Sequence, residues 1–180
     1  MKRLSRLALV GVVMGGLALS LVACGGSKSG GKAVTDSSSL ITNTSAAPQA
    51  SGSFGSVVTL PDKVAFTLDK LAVFVPTKFS AGQIDGQTFN SFEITVKNGS
   101  TTELDLSTLI LTTTTVASGA CVDIFDGQVG LGGAPSTPLA AGASTTFKWA
   151  VSCPGKSGDL LDISMTTDGT TNVDVKGKLV

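Results

Sequence analysis

Three thiols, Cys24, Cys121 and Cys153, are the side chains of this 180-residue chain best suited to covalent chemistry. A thiol acts as a nucleophile or metal ligand only as the thiolate, which needs a base, a metal or a positive neighbourhood. The chain has no histidine, so it assembles neither a Cys-His pair nor a Ser-His-Asp triad. The same absence removes the usual zinc and copper ligand sets. Carboxylates are what remains. Glycoside hydrolysis runs on a pair of them, but Glu93 and Glu103 are the only glutamates, and Glu93 falls on an outward strand face. Asp123 and Asp126 beside the Asp126-Gly127 turn lack the ligand spacing of a calcium loop. Turn formation is their simpler role. Gly130-Leu131-Gly132-Gly133 lacks the helix and lysine of a phosphate loop. No catalytic residue, metal or cofactor is expected, and the chain reads as a non-enzyme.

Cys24 stands in a particular context. Lys2, Arg3 and Arg6 precede an apolar run from Leu7 to Val22, and Leu21-Val22-Ala23-Cys24 is followed at once by Gly25-Gly26-Ser27. A basic start, a short apolar zone and small residues make an export signal. A spanning helix needs roughly 20 apolar residues and has different flanks. The segment resembles the lipobox of bacterial lipoproteins, carried by Leu21, Val22, Ala23 and Cys24. That resemblance implies removal of residues 1–23 as a lipoprotein signal peptide. It also implies that Cys24 becomes the lipidated first residue of the mature chain. Two acyl chains anchor stably where one does not. The expected location is therefore the cell membrane, on its extracytoplasmic face, with the lipid as the membrane partner.

Residues 24–53 read as the lipidated cysteine and a disordered linker of Gly, Ser, Thr and Ala, too poor in apolar residues to offset backbone entropy. Such a coil is about 30 Å across on average. Loss of the signal leaves 10 basic against 13 acidic residues, a net charge of −3. A weakly acidic chain without a basic cluster is not built to neutralise phosphates, so no nucleic acid partner is expected.

From Phe54 to Val180 the apolar pattern has period two. Phe92-Glu93-Ile94-Thr95-Val96-Lys97 alternates without a fault, as do Leu161 to Thr166 and Asn172 to Lys176, and Phe147 to Val151 nearly so. Alternation marks strands with one buried face. Leu109 to Val116 is a β-branched, strand-like run. Between Val64 and Val75 the phase slips at Asp69-Lys70, where a bulge would return Leu71, Val73 and Val75 to the core. Asp168-Gly169 is the best tight-hairpin signal. Seven to nine short strands with turn signals between them read as an all-β, two-sheet antiparallel sandwich, residues 54–180. Its expected core is Phe66, Phe92, Ile94, Val96, Phe147, Trp149, Val151, Leu161 and Ile163. With Cys24 acylated, Cys121 and Cys153 are an even pair in an exported domain, most simply a disulfide.

Phe92-Glu-Ile-Thr-Val-Lys-Asn98-Gly-Ser100, then Leu139-Ala-Ala-Gly142-Ala-Ser144 and Phe147, resembles an immunoglobulin-like domain common in lipoproteins of Gram-positive bacteria, actinobacteria especially. The resemblance spans about residues 60–180. It implies a sandwich like that of the mycobacterial immunoprotective extracellular protein, at the cell surface, and brings no catalytic residues. The expected role is thus a tethered immunoglobulin-like module that binds an envelope protein or glycan or serves structurally. The alternative is a carrier of a small apolar ligand or lipid between the sheets. The Gly- and Pro-rich segment 127–142 is where a binding surface is first sought.

Overall fold

The computed structural model describes residues 50–167 and 172–180. Cys24, the linker up to residue 49 and the Asp168-Gly169 turn lie outside the described residues. The period-two runs become strands of two sheets. The five-stranded sheet has the order β1 (Ala50–Ser53), β11 (Asn172–Lys178), β10 (Leu160–Thr166), β6 (Ile110–Thr115), β7 (Gly119–Ala120). The six-stranded sheet runs β2 (Val57–Thr59), β3 (Val64–Leu68), β5 (Thr88–Asn98), β9 (Ser144–Cys153), β8 (Val122–Asp123), with β4 (Ala72–Val73) also paired to β5. In immunoglobulin terms β6-β10-β11 are C-F-G, and β3-β5-β9-β8 are A-B-E-D.

Pairing is antiparallel except between β1 and β11, where Ala50 stands opposite Val173 and Ser53 opposite Lys176 in a parallel ladder. A strand of the sandwich thus precedes Phe54, where the apolar alternation starts. Ala50-Ser51-Gly52-Ser53 carries no apolar alternation. What makes it a strand is the backbone of β11, a partner far away in sequence.

The interior is filled by the predicted side chains. Phe66, Ile94, Val96, Val151 and Ile163 are fully buried. Leu106, Met165, Val173, Val175 and Leu179 join them. Phe147 is only half-buried at the side of this core, edge-on to Trp149. Each fully buried side chain of this size stabilises the fold by roughly 1.5–3 kcal/mol. Thr113 sits among them with its hydroxyl unpartnered, a local cost of about 1–3 kcal/mol.

The phase slip at Asp69-Lys70 is present, but its consequence differs from expectation. The Asp69 N–H bonds the Glu93 carbonyl, and Val73 then stands opposite Asn90, on the inward side. Leu71 packs against the core. Val73 and Val75 run past its edge and stay 69% and 80% exposed. Phe74, on the opposite phase, packs on the outer face of the six-stranded sheet instead.

One edge segment changes sheets. Gly119–Ala120 pairs with β6, and Val122–Asp123 pairs with β9. Between them Cys121 forms a disulfide with Cys153, the last residue of β9. This staple joins an edge to the sheet beside it, unlike the inter-sheet B–F bridge of antibody domains.

Candidate binding surface

Alternation along β5 sends Phe92, Ile94 and Val96 inward, and Phe89, Ser91, Glu93 and Thr95 outward. The lower part of the outer face is polar. Glu93 faces Lys148 across the ladder, and the Thr95 and Thr146 hydroxyls are hydrogen-bonded at 2.9 Å. The upper part is covered. Residues 74–87 and 124–131 fold over it and enclose a second, small apolar cluster of Ile124, Leu131 and Ala150, flanked by Phe74 and Phe89.

Backbone and polar contacts stitch this layer together. Ala81 and Phe125 exchange both backbone bonds, at 2.8 and 2.9 Å. Asp126 and Leu131 do the same at 2.9 and 3.0 Å. The Ile84 N–H donates to the Ser152 hydroxyl, which donates to Gln87 Oε1. Gly82 has φ of +95°, and a side chain there would run into the Asp123 carbonyl, so the close approach of the two segments needs glycine.

Asp126 is the hub. Its carboxylate is buried and accepts the Thr77 N–H at 3.1 Å and the Gln128 N–H at 3.2 Å. Burial raises its pKa, but the Thr77 hydroxyl and the two N–H groups outweigh burial and hold it below the ordinary value. Asp123 behaves oppositely. Burial pushes its carboxyl up, only partly offset by the Trp149 indole N–H at 2.9 Å. The two aspartates weighed for calcium are thus each engaged by N–H donors. Among the described residues no three acidic or cysteine side chains converge as metal ligands.

The Asp123 shift has a measurable consequence. A carboxyl raised in the folded state favours folding below the ordinary carboxylate pKa of about 4, and that contribution is lost as pH rises through the raised value. An asparagine side chain at this position would keep an acceptor for Trp149 without ever ionising. Asp123→Asn is therefore expected to gain thermal stability over the parent at about pH 7 and to lose that advantage at about pH 3. A difference in melting temperature that does not change with pH would show that this carboxyl is not desolvated.

Where the loop layer ends, a cleft of about 350 Å³ opens on the sheet. Asp69, Lys70, Ser91, Glu93 and Lys148 give it a polar rim. Ala72, Phe74, Val129 and Leu131 give it an apolar wall. The segment 127–142 thus contributes Val129 and Leu131, whereas residues 74–87 carry no binding signal in the sequence. Glu93 shares the cleft with Asp69, not with Glu103. Both carboxyls are exposed. The rim offers hydrogen bonds and charges of both signs, which suits binding.

The loop layer also exposes apolar side chains. Of twelve large hydrophobic side chains exposed among the described residues, five lie on the two covering segments: Val75, Phe79, Ile84, Phe125 and Val129. Both exposed phenylalanines are among them, with the Lys78 ammonium 4.9 Å from the Phe79 ring centre.

No family model matches the chain, and no curated protein matches it either. Two solved structures are similar in shape. One is an uncharacterized β-sandwich protein from Clostridium difficile 630, 13% identical, with a TM-score of 0.47 over 72% of this chain and 95% of that one. The other is a secreted protein from Mycobacterium tuberculosis, MPT63. It is 14% identical, with a TM-score of 0.50 over 74% of this chain and 98% of that one. At that identity the likeness to MPT63 is one of fold, a two-sheet β-sandwich.

Proposed function

We propose that this chain is an extracytoplasmic, lipid-anchored, immunoglobulin-like module that binds an envelope protein through its loop-covered face and catalyses nothing. The observation that carries the reading is the set of apolar side chains that the loop layer leaves exposed. Phe79, Ile84, Phe125 and Val129 are all exposed on the two segments that cover the outer face, and exposed apolar side chains grouped on one face are what a partner buries. Exposed aromatic side chains are the usual anchors of such sites.

The location rests on the basic and apolar start and on Leu21-Val22-Ala23-Cys24. The secreted nature of MPT63 agrees with it. Ala50 stands opposite Val173 at the start of β11. The other end of β11 leads to Val180, whose backbone is held by both side-chain atoms of Asn90. Asn90 stands opposite Val151, beside the Ser152 that binds Ile84. The loop layer therefore lies toward the end of β11 that is away from Ala50. No observation favours an apolar ligand between the sheets, because core side chains occupy that space.

The test has two readings. The parent chain should fractionate with membranes, and Cys24→Ser should move to the soluble exported fraction. A photocrosslinker in place of Phe125 should give a discrete protein adduct in intact cells that the same probe in place of Val57 does not. Unchanged membrane retention of Cys24→Ser would overturn the anchor. No adduct from position 125 would overturn the binding face.

A further inference from the structure

β9 is ten residues long, but β8 covers only Val151 and Ser152, with the Ile124 N–H on the Ala150 carbonyl just below. The direction of the remaining backbone groups follows from β5. Its odd-numbered residues face away from β9: the Glu93 carbonyl takes the Asp69 N–H, and the Phe89 carbonyl takes the Phe74 N–H. Its even-numbered residues therefore bond β9, where they stand opposite odd-numbered partners: Phe92 opposite Trp149, Ile94 opposite Phe147, Val96 opposite Thr145. The N–H and C=O groups of Ser144, Thr146 and Lys148 then point out of the sheet edge. Among the described residues none of these groups has a hydrogen-bond partner. The neighbouring segment 131–139 turns Ala134 and Leu139 toward the core and makes no backbone bond to β9.

Proteins guard such edges with proline, bulges or charge. Ser144 to Lys148 has no proline and pairs with β5 without a bulge. Its single charge, Lys148, has Glu93 opposite it on β5. An edge strand of this kind takes an extended backbone as partner. The unpaired set is also symmetric about its middle member.

We infer that the β9 edge pairs antiparallel with the same edge of a second copy of this chain, about a two-fold axis at Thr146. In that register Thr146 faces Thr146 of the other copy and Ser144 faces Lys148. Every unpaired group is matched, and the two lysines are kept apart. A two-fold axis at Lys148 would oppose like charges, which is destabilising. It would also push the second strand into β8. With the axis at Thr146, the second strand ends at its own Ser144, beside Lys148, and turns away before β8 begins. The outer faces of both sheets stay on one side, so the polar ladder of Thr95 and Thr146 becomes continuous across the two copies.

The experiment uses full chains in mild detergent under gentle oxidation. Directly opposed residues of a hydrogen-bonded antiparallel pair have Cα atoms about 5.5 Å apart, within disulfide reach. Thr146→Cys should link to itself, and Lys148→Cys should not. The covalent dimer of Thr146→Cys should exceed that of Lys148→Cys by about tenfold. Mixing Ser144→Cys with Lys148→Cys chains should give the mixed dimer that neither gives alone. Thr146→Pro removes an outward N–H without touching β5, so it should abolish self-association while the near-ultraviolet signal of Trp149 persists. Equal linking of Thr146→Cys and Lys148→Cys, a Thr146→Cys adduct with a different protein, or a folded Thr146→Pro that still associates would each overturn the inference.

Discussion

Asn98→Ala is expected to destabilise the domain by about 2–4 kcal/mol, because one buried amide ties the end of β5 to two loops. The Asn98 side chain is fully buried at the end of β5. Its NH₂ group donates to the Thr102 carbonyl at 2.8 Å and to the Leu139 carbonyl at 2.9 Å. Its oxygen accepts the Ser100 N–H at 3.1 Å and the Ser100 hydroxyl. All four bonding positions of the amide are used. Alanine leaves both carbonyls and the Ser100 donors short of a partner. The Leu139 carbonyl keeps the Leu104 N–H and the Thr102 carbonyl keeps the Ser100 hydroxyl, which places the loss in the middle of the range for buried polar groups. Asn98→Asp separates the causes. It keeps the acceptor toward Ser100 but sets a carboxylate against two carbonyls. It should therefore be worse than alanine at neutral pH and recover as acid protonates it. Urea unfolding at two pH values checks both. A loss under about 1 kcal/mol for Asn98→Ala would show that the clamp is dispensable.

Removing the disulfide is the second large effect. Cys121 and Cys153 close a loop with a sequence separation of 32 residues, which by loop-closure entropy stabilises the fold by about 3–4 kcal/mol. Cys121→Ala/Cys153→Ala should lose that amount in urea unfolding. The loss should also have a place. Without the staple the sheet-switching segment Gly119–Asp123 depends on two-residue ladders. Phe125, just beyond it, holds Ala81. Hydrogen exchange should therefore accelerate first at residues 119–126 and 77–84, ahead of β5 and β10. Uniform acceleration across the domain would show that the bridge acts on global stability alone.

The alternating runs could be read directly because a half-buried strand writes its two faces into every second residue. β5, β6, β9, β10 and β11 came from that signal, and so did the core residues they carry. The slip at Asp69-Lys70 was visible too, but not its outcome. Whether Val73 and Val75 are covered depends on where the opposite sheet ends, and no local pattern records that. Phe74 carried a faint signal, being out of phase with its apolar neighbours. β1 carried none, since its pairing lies in the backbone of a distant strand. Asp126 looked like an ordinary turn residue. Its other partner, Thr77, is distant in sequence.

By itself the sequence determined composition and period. No histidine, an export-like start ending at Cys24, one pair of further cysteines and two-residue alternation limit the chemistry and select a β-sandwich. Those are local or additive properties, fixed as soon as the residues are. Tertiary structure decided which residues meet. The Asp126 clamp, the loop layer over β5 and β9, the cleft at its margin and the open edge of β9 all depend on segments separated along the chain, brought together only when the two sheets close.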